Sequence, residues 1–305
     1  MFLVLVAVPI VAFCNLNLPD GATFWSEVAK YGKNHLNVFY DQTFLSILGL
    51  MAWGLGYFGQ PHIIVRFMAI RSSKELAQAR RIGIGWMAIG LAGAMMSGLV
   101  GFVYYSGLNL PLADPEKVFL QLGETLFHPF FVGIIISAVL SAIMSTISSQ
   151  LLVSASSVTQ DFVFAFYKKE ISQKAQVAAG RYAVVAVALV ATALAFSFNE
   201  SVLNVVGYAW AGFGASFGPV LLFSLYWRRM SALAALLGMI TGGATVIAWI
   251  ALGLNSYVYE ILPGFAVSCV VIYLTSLYGD AIDKMSNEPN SATVQDEFEK
   301  MKTRL

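Results

Sequence analysis

Residues 129–159 read PFFVGIIISAVLSAIMSTISSQLLVSASSVT. This stretch has no charged side chain, and it exceeds the roughly 20 residues with which an α-helix crosses the hydrocarbon core of a bilayer. Other uncharged, mainly apolar stretches are candidate spans of the same kind: 1–14, 43–65, 82–105, 182–198, 202–227, 231–253 and 261–278. The sequence therefore predicts an all-α integral membrane protein with about eight transmembrane helices.

The composition agrees with a membrane protein and argues against several classes of function. Hydrophobic residues make up 58% of the 305 residues and charged residues only 11%, whereas soluble proteins carry about 25% charged residues. The net charge of +1 gives no reason to expect nucleic acid as a partner. Because no nucleotide-binding loop, HExxH motif or pairing of a nucleophile with a base is found, an enzyme is not expected. Cys14 and Cys269 lie in apolar spans and are interpreted as small core residues.

The first span, 1–14, has two interpretations. Its length fits the apolar core of a signal peptide. A signal peptide, however, begins with basic residues, and here Met1 runs directly into Phe2, Leu3 and Val4. We therefore interpret 1–14 as a transmembrane helix whose beginning is missing.

The basic residues are distributed unevenly between the two sides of the predicted membrane. Four alternate segments hold all of the 18 Lys and Arg residues except Lys30, Lys33 and Lys117: loops 66–81 and 160–181, the pair Arg228-Arg229, and the tail after residue 279. Because Lys and Arg are enriched in cytoplasmic loops, these segments and both chain ends are predicted to face the cytoplasm. Loops 15–42 and 106–128 are then external, and the mixed-charge residues 280–305 are predicted to form a flexible cytoplasmic tail.

The second span contains the sequence WGLGYFGQP at 53–61. Three glycines followed by Pro61 disfavour a continuous helix, since Gly costs about 1 kcal/mol and Pro about 3 kcal/mol in a helix interior. Trp53 and Tyr57 are four residues apart, so a helical turn would place both rings on one face. One interpretation is a glycine-rich packing face with aromatic residues at the membrane boundary. The other is a discontinuous helix that lines a substrate site.

The fourth span, 129–159, carries a stripe of hydroxyls at every fourth position: Ser137, Ser141, Ser145 and Ser149. Small hydroxyl residues allow close helix packing, and they can bond back to the carbonyl four residues earlier. Alternatively, Ser145 and Thr146 lie one turn beyond the carbonyl of Ala142, and these three oxygens could bind a hard monovalent cation without a buried carboxylate. Spacing alone leaves both interpretations open.

The sixth span contains GYAWAGFGASFGP at 207–219. Its glycines and Pro219 fit tight packing with a proline kink. Equally, Tyr208 and Trp210 could form a gate or the wall of a cavity. No span has an acidic or basic residue at its centre, so the sequence offers no carboxylate proton relay.

Three motifs together resemble the proline-transporting members of the sodium:solute symporter family: WGLGYFGQPH at 53–62, AIMSTIS at 142–148 and YAWAGFG at 208–214. The resemblance runs along essentially the whole chain up to the tail, and it implies the LeuT-type fold of two inverted repeats. By that pattern, 1–14 is the last helix of the first repeat and spans two to six are the second repeat. The last two spans are peripheral helices, so 1–279 is interpreted as an N-terminally truncated transporter region.

The resemblance also implies two sets of site residues: Trp53, Tyr57 and Pro61 for the substrate, and Ala142, Ser145 and Thr146 for sodium. In the family, the sodium site takes further ligands from a first-repeat helix that is absent here. The chain is therefore interpreted as a fragment, whose partners would include the missing N-terminal helices as well as the lipid bilayer.

The leading functional hypothesis is sodium-coupled uptake of L-proline across the bacterial cytoplasmic (inner) membrane by alternating access, with sodium as the co-transported ion and no organic cofactor. The nearest alternative is the same mechanism with another small solute, such as pantothenate or a sugar. A membrane sensor of a histidine kinase is disfavoured, because too few residues follow the last span to form a kinase. A non-transporting membrane scaffold is the remaining alternative.

Overall fold

The computed structural model describes residues 1–18, 20–30, 37, 39–108, 112, 114–164, 172–197 and 201–286 of the chain. Within these ranges all regular structure is helical. The α-helices are α1 (Phe2–Cys14), α2 (Phe24–Lys30), α3 (Phe44–Ala52), α4 (Pro61–Met68), α5 (Leu76–Gly107), α6 (Val118–Leu126), α7 (Pro129–Ser156), α8 (Gln173–Ala195), α9 (Val202–Tyr226), α10 (Ala232–Ala251) and α11 (Ile261–Ser286). Short 3₁₀ segments lie at Trp53–Gly59, Ser73–Glu75, Pro115–Lys117 and Leu254–Ser256, and a π-helical turn lies at Ser157–Val163.

Within the described ranges, six segments are long and apolar enough to cross a membrane: Leu76–Gly107, Pro129–Phe162, Gln173–Ala195, Val202–Tyr226, Ala232–Ala251 and Ile261–Tyr278. The other two predicted spans correspond to shorter apolar helices, Phe2–Cys14 and Phe44–Gly59. Large apolar side chains such as Phe130, Leu152 and Ile247 are exposed on these helices, as expected for surfaces that lipid covers. The prediction of an all-α membrane protein is confirmed.

The chain divides into two compact units, and the first comprises Met1–Asp41 and Lys74–Val185. In this unit α1 packs along α5 and α6, and α6 also contacts α7. Its buried core consists of Val8, Ala12, Phe24, Val28, Val100, Val103, Leu122 and Ile135. Burial of these side chains holds α1, α2, α5 and α6 together, and Ile135 adds α7 to this core.

Helix α7 carries the hydroxyl stripe. It begins at Pro129, whose missing backbone N–H costs nothing there because an N–H in the first turn has no partner within the helix. The helix then runs without interruption to Ser156. It then passes into the π-helical turn Ser157–Val163, in which the Thr159 hydroxyl donates to the carbonyl of Ala155 at 2.8 Å. Single π-helical turns within long helices are frequent near functional sites.

The second unit comprises Gln42–Ser73 and Ala186–Leu305. Helices α9, α10 and α11 pack on one another, and the 3₁₀ segment Trp53–Gly59 packs on α9. The buried core of this unit consists of Ala52, Ala211, Ala215, Val246 and Ile261. Small residues let the helices approach closely, and the Ser268 hydroxyl of α11 donates to the carbonyl of Gly238 on α10 at 2.9 Å.

Helices α9 and α11 relate directly to two of the predictions from the sequence. Helix α9 is uninterrupted although it contains Pro219. Its buried residues are mostly small ones: Gly207, Ala211, Gly214, Ala215, Gly218 and Pro219. Burial of Gly207, Gly214 and Gly218 fits tight packing, and the gate or cavity wall at Tyr208 and Trp210 stays a prediction. Helix α11 continues to Ser286, beyond the predicted start of the tail at 280. Residues 31–36 and 165–171 of the predicted loops, and 287–305 of the tail, lie outside the described residues.

Candidate functional site

The second predicted span is a discontinuous helix. Helix α3 begins after Thr43, whose hydroxyl caps its first turn, and it ends at Ala52. The chain then tightens into the 3₁₀ segment Trp53–Gly59. Gln60 is extended, with φ −85° and ψ 110°, and Pro61 opens α4. The break predicted from the glycines and Pro61 is therefore present.

Two hydrogen bonds between described residues link the 3₁₀ segment and the adjoining Gln60 to α9, and both involve Trp210. The indole Nε1 of Trp210 donates to the carbonyl oxygen of Trp53 at 2.8 Å. In the opposite direction, Nε2 of Gln60 donates to the carbonyl oxygen of Trp210 at 3.4 Å. Gln60 is only 5% exposed, so this bond also satisfies an amide that burial would otherwise leave without a partner.

Glycines allow the 3₁₀ segment to lie directly against α9. A Cβ on Gly56 would collide with the Trp210 indole, and one on Gly59 would collide with the backbone at Phe213. On the facing side, a Cβ on Gly214 would lie 2.7 Å from the Cα of Gly56. The two backbones are therefore in contact, and Gly is the residue that fits at these positions.

Four aromatic side chains, which we term the aromatic cluster, surround this contact: Trp53, Tyr57, Trp210 and Tyr259. The rings of Trp53 and Trp210 are stacked with centroids 5.7 Å apart, and Tyr57 meets Trp210 edge-on at 4.8 Å. Tyr259 stacks on Trp53 with centroids 5.8 Å apart. These distances and angles are those that aromatic pairs favour. Tyr57 remains 40% exposed, so part of its ring is accessible.

Not every predicted substrate or gate residue joins the aromatic cluster. Trp53, Tyr57 and Trp210 do. Pro61 lies beyond the break at the start of α4. Tyr208 is half-buried on α9, and within the described part of the chain its ring does not stack on the cluster. The substrate and gate roles assigned to Trp53, Tyr57, Pro61, Tyr208 and Trp210 all stay predictions.

Sequence reasoning missed Tyr259 and Gln60. Tyr259 lies just before the last span, where an aromatic residue is ordinarily explained by the membrane boundary. Gln60 stands beside Pro61 in the quoted motif, and the signal available for it was a polar amide inside an uncharged span. Both residues gain their significance from contacts with α9, which is remote in sequence.

The three predicted sodium ligands lie together on α7 in the first unit. The hydroxyls of Ser145 and Thr146 both donate to the carbonyl oxygen of Ala142, at 2.9 and 3.2 Å. Both side chains are exposed. Since each hydroxyl donates its proton to the helix, the lone pairs of the two hydroxyl oxygens remain available to a cation, whereas the Ala142 carbonyl oxygen already accepts both protons.

Back-bonding also occurs elsewhere on α7. The Ser148 hydroxyl donates to the carbonyl of Met144 at 2.7 Å, and the Ser149 hydroxyl donates to that of Thr146 at 2.8 Å. Hydrogen bonding to the helix therefore does not by itself distinguish Ser145 and Thr146 from their neighbours. What distinguishes them is that two adjacent hydroxyls share one carbonyl, which brings three oxygens close together. No group of His, Cys, Asp or Glu side chains suited to a metal ion occurs among the described residues.

A buried carboxyl group lies next to the aromatic cluster in the chain. Glu260 is 2% exposed, and its Oε1 has no hydrogen-bond partner among the described residues. It directly precedes the apolar segment Ile261–Tyr278. Burial raises the pKa of this carboxyl group above its ordinary value, because removal of water disfavours the ionised form.

Comparison with known proteins matches the chain to one family. A sequence model described as the sodium:solute symporter family matches residues 16–242, a range that contains all three motifs. The high-affinity proline transporter PutP of Bacillus subtilis (strain 168) is 50% identical over 281 residues, which are 92% of this chain and 59% of that protein. The osmoregulated proline transporter OpuE of the same organism is 46% identical over 279 residues, 91% of this chain and 56% of that protein.

A sodium/proline symporter of Staphylococcus aureus is 46% identical over 286 residues, which are 90% of this chain and 55% of that protein. The chain thus spans somewhat more than half the length of the curated relatives it matches. No solved structure gives a significant match.

Proposed function

The chain belongs to the sodium:solute symporter family, and on this premise we propose that it takes part in sodium-coupled uptake of L-proline by alternating access. The observation that carries the proposal is the aromatic cluster on the discontinuous helix. Transporters of related architecture bind substrate where a helix is broken, because the interrupted backbone and its side chains can face a cavity. The 3₁₀ segment Trp53–Gly59 has this character.

The chemistry of the aromatic cluster suits proline. The substrate has an apolar ring, which packs against aromatic faces, and a positively charged amine, which aromatic faces attract. Tyr57 offers a partly exposed ring for such contacts. The relatives from Bacillus subtilis and Staphylococcus aureus are named as proline transporters, which favours proline over pantothenate or a sugar.

We assign the co-transported sodium ion to Ala142, Ser145 and Thr146. Their three oxygens are neutral, so the site would bind a single positive charge without a buried carboxylate. Hard cations of comparable size take about six or more oxygen ligands, and the remaining ligands would come from other residues or from water. Coupling to the sodium gradient requires no organic cofactor.

We further propose that the protein is a multi-pass protein of the bacterial cytoplasmic membrane whose C-terminus is cytoplasmic. The support is the distribution of Lys and Arg, of which all but three lie in alternate segments.

A chimera tests the function. Residues 1–305 replace the matching segment of the high-affinity proline transporter PutP of Bacillus subtilis. The chimera is expressed in a strain that lacks proline uptake. We expect labelled proline to accumulate when sodium is present and not when potassium replaces it. Excess unlabelled pantothenate or glucose should leave the uptake unchanged.

Two results would contradict the proposal. One is proline uptake that is equal with and without sodium. The other is a chimera that reaches the membrane at the level of the relative but transports another solute in place of proline. Insertion is measured by immunoblot of the membrane fraction, so that poor expression is not mistaken for a change of substrate.

A further inference from the structure

The aromatic cluster includes a residue from outside the broken helix and α9. Tyr259 lies between the 3₁₀ segment Leu254–Ser256 and α11, on the connection that leads into the last apolar segment. The three motifs that point to the family all lie in other parts of the chain. A contact from here to Trp53 therefore needs its own explanation.

Tyr259 touches three elements at once. Its ring stacks on Trp53 of the 3₁₀ segment with an angle of 14° between the planes. Its hydroxyl donates to the carbonyl oxygen of Gly207 on α9 at 2.9 Å. Its Cβ lies against Gly49 of α3, where an added Cβ would come within 3.3 Å. The side chain thus joins α3 and the 3₁₀ segment to α9.

The backbone that carries Tyr259 is also fixed. The indole Nε1 of Trp249, near the end of α10, donates to the carbonyl oxygen of Val258 at 3.0 Å. Tyr259 follows Val258 directly, so both its backbone and its hydroxyl are anchored. A side chain that is anchored through its backbone and through its hydroxyl is suited to hold the neighbouring Trp53 ring in one orientation.

Trp53 depends on this support. Its indole N–H makes no hydrogen bond to the described residues, and among these residues its ring stacks on Trp210 and Tyr259. Stacking on these two rings therefore sets the orientation of the Trp53 ring. Burial of Tyr259 between elements raises the pKa of its hydroxyl, chiefly by desolvation, which keeps the hydroxyl protonated as a donor.

We propose that Tyr259 is a positioning residue that orients Trp53 and thereby sets the affinity for the solute. The inference rests on the proposed function only in taking Trp53 as part of the substrate site. On this proposal, the connection that leads into the last apolar segment helps to determine the affinity for the substrate.

The kinetic test uses three variants in the chimera. Tyr259→Leu removes the ring, and the half-saturating proline concentration should rise about tenfold while the maximal rate per inserted molecule stays unchanged, since aromatic pairs contribute about this much. Tyr259→Phe keeps the stack but loses the hydroxyl bond to Gly207, so its half-saturating concentration should lie between those of the parent chimera and Tyr259→Leu. Tyr257→Leu is the matched control, because Tyr257 lies two residues away and is 75% exposed. An unchanged half-saturating concentration in Tyr259→Leu, or an equal rise in Tyr257→Leu, would overturn the proposal.

A second measurement needs no transport and leaves Tyr259 in place. The full 305-residue chain in lipid nanodiscs carries 3-fluorotyrosine at position 259 alone, and its ¹⁹F resonance reports the ring current of a stacked indole. The change Trp53→Leu should shift this resonance, whereas Trp227→Leu should not. Absence of a shift on Trp53→Leu would overturn the stacking contact even if Tyr259→Leu fails to fold. A chimera that transports no proline would contradict the proposed function while this spectroscopic result stands separately.

Discussion

Ser145 and Thr146 share one acceptor on α7, the carbonyl oxygen of Ala142. Their geometry differs from that of Ser148, which bonds singly to the carbonyl of Met144. If the shared arrangement binds sodium, loss of either hydroxyl removes a ligand while the helix keeps its shape. The neighbouring hydroxyl of Ser148 then serves as a control within the same helix.

We expect Ser145→Ala and Thr146→Ala in the chimera to raise the sodium concentration that gives half-maximal uptake, each by about tenfold, which corresponds to about 1.4 kcal/mol per lost ligand. Ser148→Ala should leave it unchanged. Proline uptake measured across a range of sodium concentrations decides the matter. Normal sodium dependence in both single variants would show that these two hydroxyls do not bind sodium and serve only in helix packing.

Glu260 predicts a pH dependence of stability. The folded protein raises the pKa of this carboxyl group through desolvation, so the unfolded chain ionises at lower pH than the folded protein. Between the two pKa values the unfolded chain binds fewer protons, and the stability of the fold therefore falls as pH rises through this window. Above the raised pKa, the loss of folding stability caused by Glu260 is complete and does not change further with pH.

We therefore expect Glu260→Gln to have a higher melting temperature than the parent chain at pH 8, and an equal one near pH 4. Tryptophan fluorescence of the chain in detergent micelles follows the melting. Glu116→Gln is the control, because Glu116 is exposed. A Glu260→Gln variant that is less stable at pH 8 would indicate that the ionised carboxylate has a stabilising partner.

At the scale of the element, the glycines of the 3₁₀ segment have unequal roles. Gly56 faces the Trp210 indole, whereas a Cβ added to Gly54 would meet no heavy atom within 4 Å. Both are in the same segment and share the same helical propensity. The contact with α9 is the difference between Gly56 and Gly54.

Gly56→Ala should destabilise the chain by about 1–3 kcal/mol, the usual cost of an overpacked contact, and Gly54→Ala should be close to neutral. Melting temperatures of the two variants in the same detergent test this expectation. A second matched pair lies on α9, where Gly214 meets Gly56 and Gly212 has open space. Equal effects within each pair would show that backbone flexibility, and not close packing, explains the glycines.

The same elements show how far the sequence predicts the fold. The glycines and Pro61 predicted the break in the second span, because the residue before a proline favours extended backbone and proline itself opens a helix well. Gln60 and Pro61 adopt these two conformations. A similar composition around Pro219 leaves α9 uninterrupted, since packing of the small residues against neighbouring elements overrides intrinsic propensity there. The role of Tyr259 could not be predicted, because the fold alone brings its partners to it from elements remote in sequence.

At the scale of the whole molecule, topology rests on the distribution of charge. Apolar composition identifies the spans but says nothing of their direction, whereas Lys and Arg do. Lys74 lies in a segment predicted to be cytoplasmic. Lys117, paired with Asp114 at 3.0 Å, lies on the side predicted to be external.

Single cysteines at these positions test the topology after Cys14 and Cys269 have been changed to Ser. In intact cells an impermeant maleimide should label a cysteine at position 117. A cysteine at position 74 should be labelled only after the cells are permeabilised. The reverse pattern would invert the topology, and with it the proposed cytoplasmic location of the C-terminus.

The stacked indoles of Trp53 and Trp210 also have an optical consequence. Two identical chromophores with centroids 5.7 Å apart and planes 15° from parallel couple electronically, and this coupling splits the ultraviolet circular dichroism band into lobes of opposite sign to the extent that the two transition dipoles are twisted relative to each other. The chain therefore contains a natural, label-free reporter of the contact between the broken helix and α9. Any event that separates these two elements, whether a bound solute or a change in the membrane, would be visible as a loss of that split band.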